Sequence, residues 1–223
     1  MKKLLLLVCL IIAGETLYAQ IKPAYWEDVQ TIKRYDQMYE PPYQPILFIG
    51  SSSIRKWNGL ERTFASYVVL NRGIGGAVVN DITYYLNDIV FPYHPRQIVI
   101  YVGENDLPYE QCTADSVLNR TKRLIEGIRA QLPEISILYI SIKPSPSREK
   151  YKPKAIEANR LIREYLKEDK NITFIDIFSL MLTPEGKLRP ELFVGDMLHM
   201  NGEGYKIWRA AVEPYLLSKK VHE

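Results

Sequence analysis

Apolar residues follow two rhythms along this chain. Short unbroken runs at residues 45–49 (PILFI), 66–71 (SYVVLN), 97–102 (QIVIYV), 135–142 and 172–177 predict five strands buried on both faces. Between them, apolar positions recur at steps of three and four. Residues 25–39 place Trp26, Val29, Ile32, Tyr35 and Tyr39 on one helical face, which Pro41 and Pro42 end. Residues 78–90, 113–132 and 154–167 are helical in pattern, and residues 201–218 close the chain as a further helix. Strands alternating with helices at this spacing predict an α/β layer structure with a mainly parallel sheet. Right-handed crossovers then bring the carboxyl ends of the strands to one edge. Residues 51–53, 73–76 and 103–106 should meet there.

The first nineteen residues stand outside that pattern. Lys2 and Lys3 precede an apolar stretch from residue 4 to residue 13, and Ala19 before Gln20 ends a short polar region, which predicts a signal peptide at 1–19. The stretch is too short to remain as a membrane span. The mature chain, residues 20–223, is expected to be exported and soluble, and its length suits one domain. Losing Lys2, Lys3 and Glu15 lowers 29 basic and 26 acidic side chains to 27 and 25. So slight a surplus predicts no nucleic-acid or membrane partner. Only Cys112 remains, so no intramolecular disulfide is possible.

Chemistry enters at the strand ends. Three serines, Ser51, Ser52 and Ser53, follow the first apolar run and Gly50. Serine there is commonly a helix cap, yet it is also where open α/β sheets keep their ligand crevice. A serine that attacks a carbonyl needs a base, and histidine titrates in the right range. Of three histidines, His94 precedes the third strand on the wrong edge and His222 is one residue from the end, which leaves His199. Asp196, three residues earlier, can accept the Nδ1 proton and fix the tautomer. Such an Asp-x-x-His pair is often incidental by itself; beside a strand-end serine it completes a triad. Gly75 and Gly76 offer backbone amides, and Asn105 an amide side chain, to a developing oxyanion. As plain turn residues they would only close their own loops.

The blocks Gly50-Ser51-Ser52-Ser53-Ile54, Asn71-x-Gly73-x-Gly75-Gly76, Gly103-x-Asn105-Asp106 and Asp196-x-x-His199 resemble, in order, the four sequence blocks of the SGNH, or GDSL-type, hydrolases. The run from Gln97 to Asp106, together with the Asn71 to Gly76 turn, is similar to the branch holding platelet-activating-factor acetylhydrolase catalytic subunits and lysophospholipase-like relatives. The resemblance implies a three-layer α/β/α sandwich similar to flavodoxin, with no metal or organic cofactor. It makes Ser52 the nucleophile, Asp196 and His199 its triad partners, and Ser52, Gly76 and Asn105 the oxyanion donors. Ser51 stands where the family has Asp, so a carboxylate that helps brace the turn is missing.

Rival readings fare worse. The glycine-rich turn at 73–76 follows the second strand, not the first, and no Gly-Lys-Ser/Thr ending follows it, against a nucleotide site. One usable histidine does not make a metal phosphoesterase. The stronger alternative is a catalytically weak carbohydrate- or lipid-binding module that keeps the hydrolase fold, with Tyr109 or Tyr151 stacking on a sugar. The expected activity is hydrolysis of a carboxylic ester, a short acyl group on a carbohydrate or a lysophospholipid-like alcohol. The loop at 143–148 is expected to wall the pocket, its basic ends either solvated or facing an anionic leaving group.

Overall fold

The computed structural model describes residues 22–218, so the expected signal peptide and His222 lie outside the described residues. Five strands, β1 (Ile46–Gly50), β2 (Val69–Gly73), β3 (Gln97–Tyr101), β4 (Ser136–Ile140) and β5 (Ile172–Ile175), form one sheet in the order β2-β1-β3-β4-β5. Every pairing is parallel. Alternation along each strand divides the core in two. Leu47, Ile49, Ile98, Ile100 and Tyr139 face α1 (Trp26–Met38) and the helices α4 (Val79–Tyr84), α6 (Ala114–Gln131) and α7 (Lys152–Leu166). Phe48, Val99, Tyr101, Leu138 and Ile140 face α2 (Ser52–Arg55), α3 (Leu60–Thr63), α8 (Ile177–Leu180) and α9 (Gly202–Val212). With helices on both faces, no strand residue in β1 or β3 meets solvent.

Local chemistry sets where elements begin. Thr113 and Ser116 exchange side-chain and backbone bonds at the start of α6, a capping arrangement that satisfies free amides. Asn201 caps α9 by accepting from the amides of Glu203 and Gly204 at 2.9 and 3.2 Å.

Several boundaries differ from the sequence reading, three of them for a clear local reason. The segment 78–90 is two helices, α4 and α5 (Leu86–Ile89), because the backbone leaves helical geometry at Tyr85. The second strand starts at Val69 and runs on to Gly73, three residues later than expected, since the backbone before it turns with Tyr67 bonded back to Phe64. The last helix stops at Val212; Pro214, in the turn Glu213–Tyr215, has no amide to continue it.

Candidate active site

The strand ends meet because of register. Gly50 pairs with Gly73 on one side and with Tyr101 on the other. Its φ is 131°, and a Cβ there would lie 1.8 Å from the Tyr101 carbonyl oxygen, so only glycine lets the chain leave β1 at this point. The turn that follows is held by backbone: the Ser51 carbonyl accepts from Ile54 and Arg55, and the Ser51 amide donates to the Tyr101 carbonyl at 2.9 Å. Asn71 adds a brace, donating to the Ile54 carbonyl at 2.7 Å and accepting from the Gly73 amide at 3.0 Å. The turn is thus secured without the missing Asp.

Among the three serines, burial separates the candidates. Ser51 and Ser53 are buried, and among the described residues the Ser53 hydroxyl has no hydrogen-bond partner of normal geometry. Ser52, half-buried at the first position of α2, places its Oγ 3.0 Å from His199 Nε2. His199 Nδ1 lies 2.6 Å from Asp196 Oδ2. The other carboxylate oxygen accepts from the amides of Leu198 and His199 at 2.9 and 2.8 Å. The bond from His199, then these amides, hold the Asp196 carboxyl well below the usual carboxylate range. An ionised carboxylate only accepts, so Nδ1 carries the ring hydrogen and Nε2 is left to accept from Ser52. Lys56 Nζ is 3.3 Å from the same Nδ1, a charged neighbour to that bond.

The loop bearing the imidazole is pinned at both ends. Phe193 bridges to Met200, the Val194 amide donates to the His199 carbonyl at 2.9 Å, and Met197 takes a left-handed turn at φ 55°. Asn201 Nδ2 also donates to the Glu191 carbonyl at 2.8 Å.

Two of the expected oxyanion donors, Gly76 and Asn105, lie near each other. Asn105 gives one Nδ2 hydrogen to the Ala77 carbonyl at 3.1 Å, which sets its side chain against the residue after Gly76. Gly76 is exposed at φ 85°, and a Cβ on it would come within 3.2 Å of the Tyr25 hydroxyl. Beneath them Asp106 is fully buried, accepting from the Val79 amide at 3.1 Å and from Arg120 at 2.6 Å. Burial pushes its carboxyl up while Arg120 opposes this.

Other expected placements resolve as follows. His94 is exposed before β3, at the opposite edge of the sheet. Tyr109 is exposed, whereas Tyr151 packs partly against the core. Lys143 departs from the expectation: it neither is solvated nor faces a ligand, for its side chain is fully buried in an ion pair with Glu104. Tyr25, Asn71 and Glu104 were not expected as site residues, because their roles arise from packing against the turns. A cleft of about 410 Å³ lies beside α2, lined by Asp28, Tyr35, Arg55, Asn58, Glu61 and Asn71 among others. Among the described residues no helix is long and apolar enough to cross a membrane.

A family model for the GDSL-like lipase/acylhydrolase family matches residues 49–207. No curated protein gives a match. Among solved structures, a Streptococcus pneumonia protein provisionally described as a platelet activating factor aligns with TM-score 0.75 and 22% identity, over 94% of this chain and 99% of that one. A GDSL-like lipase from Bacteroides thetaiotaomicron aligns with TM-score 0.70 and 23% identity, over 83% and 95%. An acetylxylan esterase from Geobacillus stearothermophilus aligns with TM-score 0.62 and 15% identity, over 77% and 94%. Structural likeness at such identities fixes the fold and leaves the substrate open. The family match, which runs from β1 into α9, places this chain in the GDSL-like lipase/acylhydrolase family, as a carboxylic ester hydrolase.

Proposed function

We propose that the protein is an exported serine esterase that removes a short acyl group, acetyl foremost, from a carbohydrate alcohol through an acyl-enzyme on Ser52. The observation that carries this reading is the relay from Ser52 Oγ to His199 Nε2 at 3.0 Å and from Nδ1 to Asp196 at 2.6 Å. His199 takes the Ser52 proton as Oγ attacks the ester carbonyl, and Asp196 stabilises the imidazolium. The amides of Ser52 and Gly76 and the second Nδ2 hydrogen of Asn105 receive the oxyanion. His199 then protonates the departing alcohol. Water repeats the sequence and frees the acid.

Two features support a small acyl group on a hydroxyl-rich alcohol. The Tyr25 hydroxyl stands beside Gly76, within 3.2 Å of where a Cβ would lie, and so close a group supports a small acyl group. The neighbouring cleft beside α2, which none of the triad or oxyanion residues lines, sets charged and amide side chains beside Tyr35 and Trp57, a mixture that supports a glycan alcohol. The acetylxylan esterase among the structural neighbours agrees with that choice. The leader pattern at 1–19 supports export.

The test compares hydrolysis of p-nitrophenyl acetate, butyrate and octanoate, then acetyl release from acetylated xylan against acetylated sialic acid and fatty-acid release from lysophosphatidylcholine. Acetate should turn over fastest, and Ser52→Ala should lose about 10⁴-fold or more in kcat. Equal rates for parent and Ser52→Ala would leave only a binding module.

A further inference from the structure

Against the loop that carries His199 lies a buried polar cluster that none of the chemical steps uses. Lys143 and Glu104 form an ion pair with side chains 0% and 4% exposed. The same carboxylate accepts from the Tyr101 hydroxyl at 3.0 Å and from the Ser145 hydroxyl. Lys143 in turn donates to Tyr101 Oη at 3.4 Å. Burial pushes the Lys143 ammonium down from its ordinary value, and Glu104 opposes that. The charges are therefore mutually dependent: either one alone would be buried without an opposite charge.

The cluster touches three loops at once. Glu104 immediately precedes Asn105 in the turn after β3. Lys143 and Ser145 belong to the loop after β4. That loop grips the segment carrying the imidazole: Ser145 Oγ is 3.4 Å from the Leu198 carbonyl, and the Ser147 amide donates to the Met197 carbonyl at 3.0 Å. A buried ion pair is a poor source of stability, because well-packed apolar residues of equal volume commonly do as well. What it supplies is direction, since a carboxylate with three donors has one orientation that satisfies them all.

We infer that the Glu104–Lys143 pair is a positioning device that locks the Asn105 turn to the His199 loop, so that oxyanion donor and general base face the same carbonyl. The pair touches no substrate and acts through Asn105 and His199. This rests on the esterase reading, and the experiment separates the two: a parent no faster than Ser52→Ala on p-nitrophenyl acetate defeats that reading first.

Given an active parent, Glu104→Gln, Lys143→Met and the double variant are compared for Tm, kcat and KM on p-nitrophenyl acetate, with Ser145→Ala alongside. Each single variant should lower both Tm and kcat. The double variant, which leaves no unpaired charge, should recover most of the Tm while kcat stays about tenfold or more below the parent and KM stays within about twofold; a displacement near 1 Å can cost about 10²-fold. Ser145→Ala, which removes the hydroxyl bonded to Glu104 and next to the Leu198 carbonyl but keeps the ion pair, should lower Tm less than either single charge variant does and lose about threefold or more in kcat. A double variant whose kcat returns together with its Tm would make the pair purely structural and overturn the inference. Should no Glu104 or Lys143 variant fold, Ser145→Ala decides alone, and an unchanged kcat there overturns it as well.

Discussion

His199 Nε2 stands 3.0 Å from Ser52 Oγ across 147 positions of sequence, held by a short loop bonded both within itself and to the segment after β4. Asp196 does both jobs in that loop, one oxygen on two backbone amides and the other on Nδ1. Asp196→Asn separates them. Its carbonyl can keep the amides, so Tm should stay within about 2 °C of the parent. Its NH2, facing Nδ1, selects the other tautomer, which puts a hydrogen on Nε2 and denies Ser52 its acceptor. Turnover of p-nitrophenyl acetate should fall about 10³-fold. A collapse in Tm with little change in kcat would make the carboxylate structural only.

The pH dependence of this loop follows from the direction of the Asp196 shift. Its carboxyl is held below its ordinary value, chiefly by the bond from His199, so the folded chain stabilises the ionised form. That contribution is complete above the unfolded value of about 3.9 and is lost as pH falls through the lower folded value. The side chain is 45% exposed, and solvent screening keeps the effect small. The Tm difference between parent and Asp196→Ala should shrink as pH falls below about 4. A difference that did not shrink there would assign the stabilisation to another group.

Asn105 spends one amide hydrogen on the Ala77 carbonyl and keeps the other. Asn105→Ala removes the bond that orients the side chain and the donor it orients. Turnover should drop by about 10²- to 10³-fold, with KM nearly unchanged because the oxyanion forms only in the transition state. Loss expressed in KM alone would move Asn105 from oxyanion stabilisation to ground-state binding.

How far the residues announced this arrangement depends on the kind of signal. Strands β1 and β3 are unbroken apolar runs ending at glycine-bearing turns, so both their burial and the edge they point to were legible. The Asp196 and His199 spacing was legible for the same reason, being local. The break at Tyr85 was not, since the apolar rhythm of residues 78–90 continues through it and only the backbone angles change. Lys143 misled because a loop lysine is ordinarily solvated. Yet a trace existed: Glu104 lies three residues beyond the end of β3 and Lys143 three beyond the end of β4, and those strands are neighbours. Equal offsets past adjacent parallel strands bring an acid and a base to the same height, which strand order reveals and sequence order hides.

Two glycines with positive φ should respond very differently to alanine. At Gly50 a Cβ would lie 1.8 Å from a backbone oxygen that cannot yield, so Gly50→Ala should cost more than about 4 kcal/mol or prevent folding. Gly186 has a φ of 75° and nothing within 4 Å, so Gly186→Ala pays only for conformation, about 1 kcal/mol. Urea unfolding of both variants measures the contrast. Similar midpoints would mean that the chain can leave β1 by another path.

Acyl-chain preference should be set at Tyr25. This residue sits in the left-handed region at φ 61°, just before α1, which turns its ring toward the Gly76 loop. On the esterase reading a longer acyl chain passes this hydroxyl beside Gly76, and burial raises its pKa, so it stays neutral. Tyr25→Ala keeps a side chain with the same backbone tolerance and removes that group. One methylene in an apolar pocket is worth about 1–3 kcal/mol, so the ratio of kcat/KM for butyrate over acetate should rise about tenfold or more. Tyr25→Phe keeps the ring and loses only the hydroxyl, and should shift the ratio less. An unchanged ratio in Tyr25→Ala would place the acyl chain elsewhere and leave the tyrosine as a support for Gly76 alone.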